Sequence, residues 1–294
     1  MAGSVLVGQF LGGLTTAMFL FLIASGLSLV FGVMRVLNFA HGSFYMLGAY
    51  LAWQIVAWLA PSGVAFFLAV LGAAAGVAVL GGIVELLLFR RLYGREELYQ
   101  LLFTYALVLI LGDAAKAVWG THQLSVSRPR ILTGGLDIYG STVPTYNLLI
   151  MLIGPAIAVL VWLGLTRTSA GRLVRAAAFD REMLGALGAN VGAIYTGMFV
   201  VSSFLAGLSG ALVTPIQGIV PGMDVEIIVE AFIVVVIGGL GSFWGTFWGS
   251  VIYGQVLSFG ILIFPGFSLF SVFALMAVIL IARPWGLFGR PLAG

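Results

Sequence analysis

Apolar residues occur along this chain in runs too long and too continuous for alternating strands. Segments 5–33, 44–60, 64–89, 98–119, 146–165, 193–215, 226–247, 249–264 and 267–282 are almost wholly apolar. About 20 such residues cross the hydrocarbon core of a bilayer as a helix. The pattern predicts an all-α polytopic membrane protein of eight or nine transmembrane helices. The first segment is long enough to tilt or break, and Gly26 and Gly32 offer break points. The region from Phe243 to Phe264 does not divide cleanly, so the count stays at eight or nine.

The least hydrophobic stretch, Thr166 to Gly192, lies between two of these runs. It reads T-R-T-S-A-G-R-L-V-R-A-A-A-F-D-R-E-M-L-G-A-L-G-A-N-V-G. Ala176, Ala177 and Ala178 favour helix, and apolar residues recur at Leu173, Val174, Ala177, Leu184 and Leu187. This spacing predicts a short amphipathic helix over 172–187, closed by Gly188 in the left-handed conformation. A plain connector between spans needs positive charge and nothing more. This loop adds helix formers, mixed charge and a glycine stop, so residues 166–192 are expected to dock on a partner.

Charge placement gives the threading. If 166–192 is cytoplasmic, alternation puts Arg35, Arg90, Arg91, Arg95, Arg283 and Arg290 on the same side as Arg167, Arg172, Arg175 and Arg181. Only Lys116, Arg128 and Arg130 fall on or near the other. That asymmetry obeys the positive-inside rule. It makes 120–145 an external loop, rich in turns at Pro129, Gly134, Gly135, Gly140 and Pro144. It also puts the C-terminus in the cytoplasm and, with nine spans, the N-terminus outside.

Composition agrees with one membrane domain over 1–294: 62% of residues are hydrophobic, 8% are charged and mean hydropathy is +1.18. No soluble domain of this size buries so much apolar surface. The formal charge of +3 is carried by short loops and gives no reason to expect nucleic acid as a partner. The first 34 residues lack Lys and Arg, so the first apolar run is expected to be a retained span and not a cleaved signal.

Enzymatic chemistry has little to stand on. The only lysine is Lys116, so the phosphate-binding pattern G-x-x-x-x-G-K-[ST] is impossible. His41 and His122 lie in different loops and there is no cysteine, so neither a metal nor a cofactor site is expected. No catalytic residue is assigned. If this chain moves solute with ATP, another chain binds the ATP.

Polar residues inside apolar sequence mark candidate paths. Asp113 and Lys116 are spaced to pair, Glu85 is within reach of Arg90, and Glu230 is the most isolated carboxylate, with Glu226 nearby. The stretch Leu37-Asn38-Phe39-Ala40-His41-Gly42-Ser43 interrupts hydrophobic sequence as a broken helix lining a cavity would, or as a turn between the first two spans. Asn38, His41 and Ser43 are the candidate solute-path residues. Small residues repeat every four positions at Gly72 and Gly76, at Ser203, Gly207 and Ala211, and at Gly241, Gly245 and Gly249, which suits close helix packing. Gly42-Ser43-Phe44 echoes Gly241-Ser242-Phe243, too briefly to establish an internal repeat.

Three stretches together resemble the permease of branched-chain amino-acid ABC importers. They are G-L-S-L-V-F-G-V-M-R-V-L-N-F-A-H-G-S-F-Y-M-L-G-A-Y (26–50), G-R-L-V-R-A-A-A-F-D-R-E-M-L-G-A-L-G-A-N (171–190) and E-A-F-I-V-V-V-I-G-G-L-G-S-F-W-G-T-F-W-G-S (230–250). The resemblance implies a complex with two ATP-binding subunits, a second permease subunit (a homologue or a copy) and an external solute-binding protein. It implies that Arg175, Ala176, Asp180 and Gly188 follow the family's cytoplasmic loop pattern, whose helix docks on the ATPase. Arg172 and Glu182 join them as candidate coupling residues. Met183 departs from the small residue usual there. The competing expectation is an ion-coupled carrier or channel acting alone, for which Glu230 would be essential.

Overall fold

The computed structural model describes residues 2–59, 63–263 and 265–289. Each expected apolar run becomes a helix. In order, they are α1 (Ala2–Met34), α2 (Ala40–Trp58), α3 (Gly63–Leu87), α4 (Glu97–Trp119), α5 (Thr145–Arg167), α6 (Ser169–Phe179), α7 (Arg181–Ala186), α8 (Val191–Val213), α9 (Met223–Gly238), α10 (Phe243–Ile263) and α11 (Ser268–Ala282). Seven helical segments among the described residues are long and apolar enough to cross a membrane. They are α1, α3, α4, α5, α8, α10 and the segment Pro265–Ala282 that contains α11. The remaining two runs give α2, with 19 residues opening on A-H-G-S, and α9, with only 16.

Two sequence expectations need correction. α1 is unbroken through Gly26 and Gly32. These glycines serve close packing instead: a Cβ on Gly26 would lie 2.8 Å from the Ser202 carbonyl, and one on Gly32 would lie 3.1 Å from Gly241 Cα. The partition of 226–247 and 249–264 also moves. The helix break falls at Gly239 to Ser242, where Gly239 and Gly241 have φ of 107° and 77°. Only glycine reaches those angles without strain, so α9 ends there and α10 starts at Phe243. Arg290 lies outside the described residues.

Packing runs around α1, whose apolar window is 89% buried against 6% for Pro265–Ala282. α1 lies antiparallel to α8, pairing Phe19 with Ser209 and Gly26 with Ser202. It is also antiparallel to α10, where Gly13 meets Gly254 and Gly32 meets Gly241. α3 packs antiparallel on α8 in the same manner, with Gly81 against Ser203 and Gly207 against Val77. The arrangement repeats in reverse direction. α1 on α10 corresponds to α8 on α3, and α2 on α3 corresponds to α9 on α10. A short 3-10 turn follows both α3 and α10, leading to α4 and α11. The helices α1–α4 and α8–α11 therefore form an inverted repeat, a common plan in membrane transport proteins. The echo of Gly42-Ser43-Phe44 in Gly241-Ser242-Phe243 does not mark it, because the repeat pairs α2 with α9 and α3 with α10.

One end of the bundle carries a β-hairpin, β1 (Gly135–Ile138) with β2 (Ser141–Pro144). Tyr139 and Gly140 turn it with φ of 51° and 78°, as a two-residue type I′ turn requires. Asp137 accepts from the Gly140 N–H at 2.7 Å. Gly8 of α1 packs on Ser141, and Leu124 bridges Ile219, so the start of α1 and the segment after α8 share the hairpin end. The opposite, basic end carries α6, α7 and Arg90, whose guanidinium lies against Gly192.

Candidate functional site

The two short helices begin inside the bundle. After α1 ends at Met34, residues 35–39 turn back along it and α2 starts beside its middle third. His41 Nε2 donates to the Ile23 carbonyl at 2.9 Å. A carbonyl only accepts, so the imidazole proton sits on Nε2. Ser202, the midpoint of α8, donates to the Gly26 carbonyl at 2.8 Å beside the same ring. Ser43 Oγ donates to Asp224 Oδ2 at 2.8 Å, and Asp224 is the second residue of α9. The first turns of α2 and α9 thus meet within the bundle. α2 runs from there to the hairpin end and α9 to the basic end.

Close backbone approach makes the meeting possible. A Cβ on Gly42 would strike the Asp224 carbonyl, and one on Gly48 would strike Gly207. Small residues at helix crossings allow this in a membrane, where packing drives association. All three candidate solute-path residues come together here. Asn38, His41 and Ser43 are 3%, 1% and 0% exposed. His41 and Ser43 are engaged within the chain, while Asn38 Oδ1 has no hydrogen-bond partner. Asp224, also buried, was not singled out from sequence. Its signal is the P-G-M-D start of α9, but only the fold shows that this turn lies opposite Ser43.

The other polar expectations resolve individually. Asp113 and Lys116 form an exposed ion pair at 3.0 Å. Glu85 does not pair with Arg90. It is fully buried and accepts from the Tyr93 hydroxyl and Thr196 Oγ1, each at 2.6 Å. Tyr93 packs in the loop after α3, and its own burial followed by the Glu85 hydrogen bond holds the phenol well above its ordinary range. It therefore remains a donor. Glu230 is hydrogen-bonded to Tyr253 and so is less isolated than its sequence suggests.

At the basic end, the expected helix over 172–187 is two helices, which corrects the sequence reading. Asp180 separates them in an extended conformation, with φ −148° and ψ 100°. Its carboxylate accepts from the N–H groups of Glu182 at 3.0 Å and Met183 at 2.9 Å, capping α7. An aspartate at such a position competes with helix continuation and starts the next helix. Arg175 donates from Nη1 to the Leu165 carbonyl, tying α6 to the end of α5. Gly188 has φ 85° and closes α7 as expected. Arg172, Arg175, Ala176, Asp180, Glu182 and Gly188 are all exposed. Ala177 and Leu184 turn inward, while Phe179, Leu187 and Met183 are 91%, 77% and 60% exposed.

Comparison with known proteins matches this arrangement to one family. The family described as branched-chain amino acid transport system, permease component, matches residues 9–282. The high-affinity branched-chain amino acid transport system permease protein BraD of Pseudomonas aeruginosa is 29% identical, covering 96% of this chain and 95% of that protein. The corresponding protein LivH of Escherichia coli is 26% identical over the same shares of both chains. Among solved structures, PsaBC from Streptococcus pneumoniae in complex with Fab aligns with a TM-score of 0.50 at 13% identity. That alignment covers 96% of this chain and 95% of that chain, which establishes a shared fold. An all-helical, multi-pass membrane protein whose sequence matches that family model almost from end to end belongs to the family of branched-chain amino acid transport permease components.

Proposed function

We propose that this chain is the membrane-embedded permease subunit of an ABC importer for branched-chain amino acids or a related small amphipathic solute. Two ATP-binding subunits, a second permease and an external solute-binding protein complete the machine. The hairpin end faces outward with the N-terminus, and the basic end, with the C-terminus, faces the cytoplasm. Arginine asymmetry supports that orientation.

The observation that carries the reading is the exposed apolar surface of α6 and α7 at the basic end. Phe179 is 91% exposed at the end of an 11-residue helix that carries Arg172 and Arg175 and is too short to span a bilayer. An aromatic residue left in water amid charged neighbours marks a protein interface. In this reading Phe179, Met183 and Leu187 enter a groove on the ATPase, and Arg172, Ala176, Glu182 and Gly188 frame the contact. Arg175 and Asp180 shape the element from within, one as a tie to α5 and the other as a cap. ATP-driven closure of the two ATPases moves α6 and α7, and the bundle switches between outward- and inward-facing states. Asn38, His41 and Ser43 lie on the solute path.

Affinity purification from the native membrane in mild detergent tests the assembly. Recovery of two nucleotide-binding subunits with a second permease is the expected result. Recovery of this chain alone, transporting in vesicles without ATP, would overturn it.

A further inference from the structure

The junction of α2 and α9 holds one buried hydrogen-bond acceptor, Asn38 Oδ1, that the fold leaves unused. Asn38 is 3% exposed and its Oδ1 is unpartnered. Asp224 is equally buried and receives the Ser43 hydroxyl. Among the described residues the only ion pair is Lys116–Asp113, far along α4, so no side-chain cation offsets Asp224. Buried acceptors of this kind are costly unless something donates to them. Beside them lies an apolar cleft lined by Leu27, Leu37, Asn38, Phe39, Ile228 and Phe232. At about 10 Å³ it has room for one water at most, so an amino acid does not fit it in this conformation.

We infer that this junction holds the α-ammonium and aliphatic side chain of an amino acid during passage. The inference rests on the permease reading above. Asn38 Oδ1 and Asp224 accept from the ammonium, which carries three donors. The walls formed by Phe39, Ile228 and Phe232 receive the branched side chain once α2 and α9 separate. The sign of the site selects the group: Asn38 Oδ1 is an unpartnered acceptor, Asp224 brings a carboxylate in the first turn of α9, and neither Lys nor Arg lines the cleft. A carboxylate would face repulsion there. Phe232 then sets side-chain size.

Saturation-transfer NMR on the assembled transporter in nanodiscs tests this, with L-leucine, isopentylamine (lacking the carboxylate) and 4-methylpentanoate (lacking the ammonium) as probes. Leucine and isopentylamine should give signal and 4-methylpentanoate should not. Asn38→Leu and Asp224→Asn should each reduce the leucine signal about tenfold. Phe232→Trp should reduce the leucine signal several-fold more than the alanine signal, a selectivity change that misfolding does not produce. Signal from 4-methylpentanoate equal to that from leucine, or leucine binding unchanged in all three variants, would overturn the inference. Leucine uptake by the wild-type complex would still stand in either case, leaving the permease reading in place. A wild-type complex that carries no amino acid would overturn both.

Discussion

The α2–α9 junction and the α6–α7 segment break the ordinary rules of burial in opposite senses. At the junction, Asn38, His41, Ser43 and Asp224 are sealed among apolar helices. At the basic end, Phe179 is left 91% exposed. Neither arrangement is the most stable use of those residues, since buried polar groups need partners and exposed aromatics forgo burial. The fold meets the first cost with hydrogen bonds across α1, α2, α8 and α9. It leaves the second unmet. The contrast separates two kinds of site: one that the chain completes almost alone, and one that, in the proposed reading, another chain completes.

Mutations can break that contrast. The largest expected effect is functional: Phe179→Asp should abolish uptake and loss of the ATPase subunits should show on purification. Its melting temperature should stay near wild type, since such surface changes fall within about 0.5 kcal/mol. A stable variant that still recovers the ATPase would remove Phe179 from the interface. The reverse pattern is expected for Ser43→Ala, which leaves Asp224 without the hydroxyl. Thermal unfolding in detergent should register about 1–3 kcal/mol of destabilisation, with ATPase recovery intact. Thr196→Val sharpens the point away from both sites. It removes one of the two hydroxyls on Glu85 and should cost a similar or smaller amount, about 1–2 kcal/mol, in the same assay. The smallest stability change is predicted for Asp180→Ala, about 1 kcal/mol through the lost cap of α7. Faster hydrogen exchange confined to Glu182 and Met183 would report it, and uniform protection there would contradict the capping role.

Much of the fold was legible because hydropathy reports helices that lie in lipid. All nine apolar runs became helices, and Gly188 closed its helix as its sequence position implied. What escaped was information carried by single residues or by distant contacts. In A-A-A-F-D-R-E the composition favours one helix, yet the Asp180 carboxylate reaches the next two amides and divides it. In G-G-L-G-S-F-W-G the break falls at Gly239 and Gly241, but Gly245 and Gly249 look identical in sequence and serve helix packing. The inverted repeat left no motif, since packing in membranes asks only for small residues at crossings. Asn38, His41 and Ser43 stood out as polar interruptions. Asp224 did not, because its partner Ser43 lies 181 residues away.

The length of α1 carries a last consequence. Its 33 residues extend about 50 Å, well beyond the roughly 30 Å hydrocarbon core. A lipid-facing helix of that length would tilt to suit the membrane and would respond to its thickness. From about Gly13 onward α1 is shielded by its neighbours instead, while Val5, Leu6 and Phe10 near its start are exposed, so protein contacts set the angle of its buried length. Ser258 grips it at Gln9 near the hairpin end, and Gly241 meets it at Gly32 near the basic end. It is an uninterrupted strut running from the hairpin end to the basic end, and a displacement at one end has no joint along its length in which to be lost.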